Sequence, residues 1–182
     1  NDTYGIFTDD SGAIYVTASS PNKIIKFDSS GTKTDEWGSK GSSYTNAGSL
    51  SNGISTDNNG NVYAVDQDNN RIQKFDSNGT FVTEWGEFGY NNDQFFTLCS
   101  VAADSSGNVF TYDLGNSRIS KYDSNGQLIT SWSTPYNNIC NKGGLTTDQS
   151  GNVYWANNSI IYKYQTDGTE IDQIGYYESG TC

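Results

Sequence analysis

GISTDNNGNVYAVDQDNNRIQKFDSNGTFVTEWG, running from Gly53 to Gly86, is the stretch whose reading decides the fold. GISTD alternates its side chains and ends in the turn-forming cluster DNNGN. NVYAVD is a β-rich run followed by QDNN, RIQKF alternates apolar and polar residues before DSNG, and FVTEW closes the unit. Short runs of period two, separated by Asp/Asn/Ser/Gly clusters, are antiparallel hairpins. The turns have a local cause: Asn and Asp side chains bond their own backbone and tolerate the left-handed region, and Gly supplies positive φ.

The same pattern is written three more times. Gly5–Gly38 reads GIFTDDSGAIYVTASSPNKIIKFDSSGTKTDEWG, and Ser100–Ser133 reads SVAADSSGNVFTYDLGNSRISKYDSNGQLITSWS. Gly144–Gly175 is a more worn copy, GLTTDQSGNVYWANNSIIYKYQTDGTEIDQIG. The glycine of the first turn recurs at Gly12, Gly60, Gly107 and Gly151, in steps of 48, 47 and 44 residues. A period of that size means a solenoid or a propeller. No segment carries a helical stripe, and Val, Ile, Tyr, Phe and Thr dominate the repeat bodies, which rejects a helical solenoid. Four strands per unit make one propeller blade. The predicted fold is therefore all-β, a β-propeller of four-stranded antiparallel blades at about 5–38, 53–86, 100–133 and 144–175, within a single domain or part of one spanning 1–182.

The pattern D-x-x-G-N-V-Y, then D-x-x-N-x-R-I-x-K-F-D-S-N-G, then W-G, resembles the NHL repeat. The linker GEFGYNNDQF between the second and third copies is similar to the NHL linker, a glycine-rich stretch ending in Gln-Phe. The resemblance covers almost the whole chain. The fourth copy departs from it: Ile160 stands where the others have Lys23, Arg71 and Arg118, and Ile174 stands where they have Trp37, Trp85 and Trp132. The resemblance implies a β-propeller, most often of six blades. Four blades then close as a ring of their own, form part of a longer protein, or are completed by neighbouring chains.

Composition bounds the function. A chain of 182 residues is long enough for one domain with a core. The net charge is −11, which repels phosphate backbones and argues against a nucleic-acid partner. There is no apolar run long enough to span a membrane. The sequence starts at Asn1 and contains no Met, as expected of a processed product or an excerpt. There is no His, which removes Ser-His-Asp chemistry, imidazole bases and the His-bound zinc that the resemblance to amidating lyases would imply. The related gluconolactonase-like hydrolases imply a calcium held by Glu, Asn and Asp. Here Asp9, Asp57, Asp104 and Asp148 end the first strand of each blade, and Asp28, Asp76 and Asp123 open the last turn, which suits a structural role. The best local oxygen clusters are Asp66 with Asp68, and Asp113 at the matching place. They lack the glycine and terminal Glu of an EF-hand loop, so calcium is a weak cofactor candidate there.

Cys99, Cys140 and Cys182 are placed by the repeat on blade-to-blade connections at one side of the disc. A Cys99–Cys140 disulfide staples neighbouring connections and leaves Cys182 free or joined to another chain. Asn1, Asn78 and Asn157 head N-x-S/T sequons, and Asn138 heads the weaker Asn-Ile-Cys variant, so all four are glycosylation candidates. Trp155, Tyr176 and Tyr177 make the fourth blade unusually aromatic, either as a contact surface or as local packing. Trp37, Trp85 and Trp132 are expected to pack against the next blade.

The expected function is a non-catalytic, secreted interaction or structural module, with protein or glycan partners or self-association into an extracellular assembly. The alternatives are a calcium-dependent propeller hydrolase or lactonase fragment, and a sensor domain with a ligand in the channel.

Overall fold

The computed structural model describes residues 3–19, 22–38, 53–135 and 144–175. Blade one contains β1 (Thr3–Thr8), β2 (Ile14–Ser19), β3 (Asn22–Phe27) and β4 (Lys33–Gly38). Blade two contains β5 (Ile54–Thr56), β6 (Val62–Asp66), β7 (Arg71–Phe75) and β8 (Phe81–Trp85). Blade three contains β9 (Leu98–Ala103), β10 (Val109–Asp113), β11 (Arg118–Tyr122) and β12 (Leu128–Ser133). Blade four contains β13 (Leu145–Thr147), β14 (Val153–Asn157), β15 (Ile160–Tyr164) and β16 (Glu170–Gly175). Each blade is an antiparallel meander whose sheet order follows chain order. The four sheets are those expected from the repeat.

The first and last hairpins of each blade are closed by one device, used eight times. In the first turn of blade two, the Asp57 N–H donates to the Asn61 carbonyl at 3.1 Å and the Gly60 N–H to the Asp57 carbonyl at 2.9 Å. Gly60 sits at φ +76°, a conformation open to glycine at little cost. The Asp57 carboxylate accepts the N–H groups of Asn59 (2.9 Å) and Asn61 (3.0 Å), the Asn61 amide (2.8 Å) and the Tyr63 hydroxyl (3.0 Å). The last turn of each blade repeats the backbone pattern, as at Asp76–Thr80, and the register slips by one residue beside it. This is a type I turn followed by a one-residue bulge, a common three-residue hairpin connection.

β1, β5, β9 and β13 are the inner strands and lie next to one another in that order. The blades stack through three apolar cores, one per interface. Tyr15, Ile24, Ile54, Val62 and Phe75 fill the first. Tyr63, Ile72, Phe95, Leu98 and Tyr122 fill the second. Phe110, Tyr112, Leu145, Trp155 and Tyr164 fill the third.

A tryptophan and a lysine lock each interface. Trp37 meets Phe75 of the next blade at a ring-centroid distance of 6.3 Å, Trp85 meets Tyr122 at 5.9 Å, and Trp132 meets Tyr164 at 5.7 Å. Each ring also lies flush on the last-turn glycine of that next blade, Gly79, Gly126 or Gly168. A Cβ added there would fall 2.6 Å from the indole. Lys26, Lys74 and Lys121 lie over their own blade's Tyr15, Tyr63 and Phe110, with the ammonium 5.3, 5.3 and 5.7 Å from the ring centre. They then reach across to the next blade's turn: Lys26 to the Ser77 carbonyl (3.3 Å), Lys74 to the Ser124 carbonyl (2.8 Å) and Lys121 to Thr166 Oγ1 (2.7 Å). Cation–π contacts of this kind are worth about 0.5–1 kcal/mol at exposed sites.

Gly31, the corresponding glycine of blade one, has the same φ of +81° as Gly12 but no described atom within 4 Å of an added Cβ. This contrast gives a direct test. Gly126→Ala meets both left-handed strain and overlap with Trp85 and is expected to lose about 2–5 kcal/mol of unfolding free energy, whereas Gly31→Ala meets strain alone and loses about 1–2 kcal/mol. Urea unfolding of the two variants checks the difference, and equal losses would refute the role given to the indole.

Candidate functional site: the concave wall of the inner strands

The four inner strands and the turns that follow them enclose one concavity of about 850 Å³. Ile6, Thr8, Ser55, Thr56, Ala102 and Thr146 are among its lining residues. Hydroxyl groups bind β5, β9 and β13 together along this wall. Ser55 Oγ accepts the Ala103 N–H at 3.1 Å, Ser100 Oγ accepts the Leu145 N–H at 3.2 Å, and Thr147 Oγ1 donates to the Ala103 carbonyl at 2.9 Å. The neighbouring inner strands belong to different sheets, so these bonds hold the wall where no β-ladder does. Ile6 stands 73% exposed on it, and Thr146 is exposed as well.

Asp9, Asp57 and Asp148 lie at the rim, each bound to its own turn. The Asn152 side chain holds the Asp148 carboxyl down at about 2, against the opposing effect of burial, with help from the Asn152 and Ser150 N–H groups and the Tyr154 hydroxyl. Burial pushes the Asp9 carboxyl up, but hydrogen bonds from Ser11, Ala13 and Tyr15 outweigh it and leave it lowered. Asp28, Asp76 and Asp167 in the last turns are lowered too, by hydrogen bonds from Ser30 and Thr32, from Thr80 and Asn78, and from Thr169. Lys26, the cation in the lining, is committed to Ser77.

The calcium candidates lie at the other ends of the strands. The Asp66 carboxylate accepts Arg71 Nε, Gln73 Nε2 and Asn69 Nδ2, each at 2.8 Å. Arg71 also binds Glu84 at 2.7 Å. Asp113 accepts the Thr97 N–H at 3.0 Å and the Asn116 amide at 2.6 Å. Asp68 is exposed, and burial and the neighbouring Asp66 charge raise its carboxyl. Among the described residues, no group of three or more His, Cys, Asp or Glu side chains gathers as metal ligands would. Arg118 donates to the carbonyls of Asn91 (2.6 Å) and Gln94, and so fastens the linker between blades two and three.

The structure alters three expectations. Trp155 is not on the surface: it is 0% exposed, between Tyr112 (4.9 Å) and Tyr162 (5.3 Å), because the inward face of β14 turns it into the third core. Asn157 is 7% exposed and accepts from Asn158, so it does not present a glycan acceptor as Asn78, exposed at a hairpin tip, does. Cys99 is not on a connection: β9 starts at Leu98, and Cys99 is buried in the third core. Cys140, Cys182, Asn1, Asn138, Tyr176 and Tyr177 lie outside the described residues. The sequence reading did not single out an exposed aromatic trio in the linker, where Phe88, Tyr90 and Phe96 have ring centroids 5.1–6.3 Å apart. Its signal was F-x-Y followed by a second Phe after Gln-Phe's first, but the linker's match to a known pattern absorbed those residues.

Fold and wall together define a β-propeller. Among solved structures, the chain is similar to a streptogramin B lyase, with 18% identity and a TM-score of 0.74, covering 97% of this chain and 55% of that one. It is similar to a catalytically inactive virginiamycin B lyase from Staphylococcus aureus in complex with quinupristin, with a histidine replaced by alanine (17% identity, TM-score 0.69, 96% of this chain and 56% of that one). It also resembles a dihydro-haem d1 dehydrogenase (10% identity, TM-score 0.60, 97% of this chain and 38% of that one). The chain thus spans about half the length of the two lyases. No family model matches the sequence, and no curated protein matches it. These likenesses show the propeller; none of them names the NHL family. They also overturn the expectation that the chain is not an enzyme. That expectation rested on the missing histidine and on acids that track the repeat, yet solved neighbours of this fold include lyases; at 17–18% identity they show the fold and do not establish an activity, and the missing histidine speaks only against imidazole chemistry.

The rim carboxylates set an acid limit. A carboxyl held low in the folded chain contributes stability above its unfolded value and loses it as pH falls through the folded value. The melting temperature is expected to hold down to about pH 5 and then to fall steeply between about pH 4 and 2. Asp148→Asn should flatten part of that fall while lowering the neutral-pH value; thermal unfolding across a pH series measures both.

Proposed function

We propose that the chain is a recognition module, a run of NHL-type blades holding a rigid concave wall against an extracellular protein or glycan partner. The observation that carries this reading is the concavity of about 850 Å³ lined by all four inner strands, three of them tied by hydroxyl bonds. Binding sites are concave, preformed and furnished with a few polar groups. The wall offers hydroxyls and an exposed Ile6, and a net charge of −11 favours neutral or basic partners. Secretion is supported by the exposed sequon at Asn78; a Cys99–Cys140 pairing, with Cys182 free or bonded to another chain, is proposed with it.

A second reading follows from the lyase likeness: the same wall forms part of an enzyme pocket in a longer propeller. The histidine that the S. aureus lyase requires has no counterpart here, because these 182 residues contain none. Such an enzyme would use different groups or take its histidine from elsewhere.

Thermal-shift screening against neutral oligosaccharides, basic peptides and quinupristin tests both readings. A saturable rise in melting temperature is expected with a member of the first two classes. Ile6→Arg with Thr146→Arg should abolish it, and Phe88→Ser on the linker should leave it intact. A response to quinupristin alone would favour the enzyme pocket, and a response indifferent to the wall substitutions would remove the wall as the site.

A further inference from the structure

The lock between blades has a donor half and an acceptor half, and one of each has no mate among the described residues. The acceptor half is on blade one. Gly79, Gly126 and Gly168 each lie under an indole, but Gly31 has no described atom within 4 Å of where its Cβ would be. Phe27 is only partly buried, whereas its counterparts Phe75, Tyr122 and Tyr164 are buried. Ser29, the counterpart of Ser77 and Ser124, whose carbonyls take Lys26 and Lys74, is exposed.

The donor half is on blade four. Lys163 keeps the position of the repeat lysine, 5.2 Å from the centre of the Tyr154 ring. Unlike Lys26, Lys74 and Lys121, it reaches no described residue of another blade. Ile174 occupies the tryptophan position, 51% exposed, and pairs across the strand with Ile161, which is also exposed.

We infer that blade four of one molecule docks on blade one of a second copy, with Ile174 over Gly31 and Lys163 on the Ser29 carbonyl. The contact repeats the geometry of the three interfaces already inside the chain. Ile174 brings less apolar area than an indole, but it is apolar, exposed and aligned with the seat. The two surfaces differ, so the contact is head-to-tail and produces a closed ring or an open filament. Chains of net charge −11 repel one another, and at physiological ionic strength that repulsion is screened beyond about 8 Å.

Light scattering and sedimentation of the full chain through a dilution series, at physiological ionic strength, test this. The wild-type chain should associate reversibly. Ile174→Asp alters an exposed side chain and Lys163→Glu a half-buried one, and each should weaken association about tenfold or more, with an unchanged far-ultraviolet spectrum confirming the fold. Ile174→Trp, which restores the repeat's residue, should strengthen association about tenfold, and adding Gly31→Asn should cancel that gain while keeping a residue that tolerates positive φ. Should Ile174→Asp fail to fold, Lys163→Glu and Ile174→Trp still decide the matter. A wild-type chain that stays monomeric at every concentration overturns the inference, as does association that all these substitutions leave alone. Association seen only with Ile174→Trp also overturns it, because the seat then belongs to a tryptophan-bearing blade and not to a second copy.

Discussion

The structure depends on an indole lying flat on a glycine. Trp37, Trp85 and Trp132 each cross from the outer strand of one blade to the last turn of the next, where Gly79, Gly126 and Gly168 accept them. One residue there meets two demands. The turn requires positive φ, and the approaching ring leaves no room for a Cβ. Because the ring touches both the turn and an aromatic residue of the next blade, it sets the spacing between sheets as well as holding them. The lysine clasp then fixes the sliding direction, since its ammonium is tethered to an aromatic face on one blade and to an acceptor on the next. Wedge angle and register are in this way settled at the rim of the disc, far from the inner wall that they position.

The acidity of the chain follows from the same economy of turns. Each hairpin of this type leaves backbone N–H groups pointing into a tight loop, and a carboxylate accepts them better than a neutral oxygen does. Asp9, Asp57, Asp104 and Asp148 do this in the first turns, and Asp28, Asp76 and Asp123 in the last. Much of the negative charge is therefore structural. Beside these turn carboxylates the concavity offers hydroxyls, amides, the exposed Ile6 and the exposed carboxylate of Asp10.

The blades were legible in the sequence because their causes are local and repeated. Period-two runs, Asp-x-x-Gly turns and a tryptophan at a fixed offset all follow from contacts made within a blade or to the next one. Features that depend on which face a side chain turns to were less legible. Trp155, which replaces Ala64 and Thr111, reads equally as a contact surface or as packing, and the alternation of β14 sends it inward beside Tyr112. Asn157 satisfies a sequon in one dimension and is buried in three. Cys99 reads as linker because the repeat alignment begins at Ser100, while the strand starts earlier, at Leu98. The concavity has no sequence signature, since each blade contributes only a few residues and its shape comes from how the blades are spaced. The enzyme question misled for a different reason: composition reports which side chains are available, not what a scaffold of this shape is used for.

Among the described residues each blade makes its main contacts with its neighbours in the stack, so stability propagates along it as it does in solenoids. An interior blade is held by two interfaces and an end blade by one. The inner wall inherits this inequality. β9 is tied to β5 through Ser55 and to β13 through Ser100 and Thr147, whereas β13 is tied from one side and β1 meets β5 by packing. A ligand spanning all four inner strands would therefore stabilise the end blades most, and any blade seated against Gly31 or Lys163 would stiffen the same wall from outside. The proposed recognition at the concavity and the proposed docking at the ends would thus be thermodynamically linked through the positions of β1 and β13, even though the two surfaces share no residue.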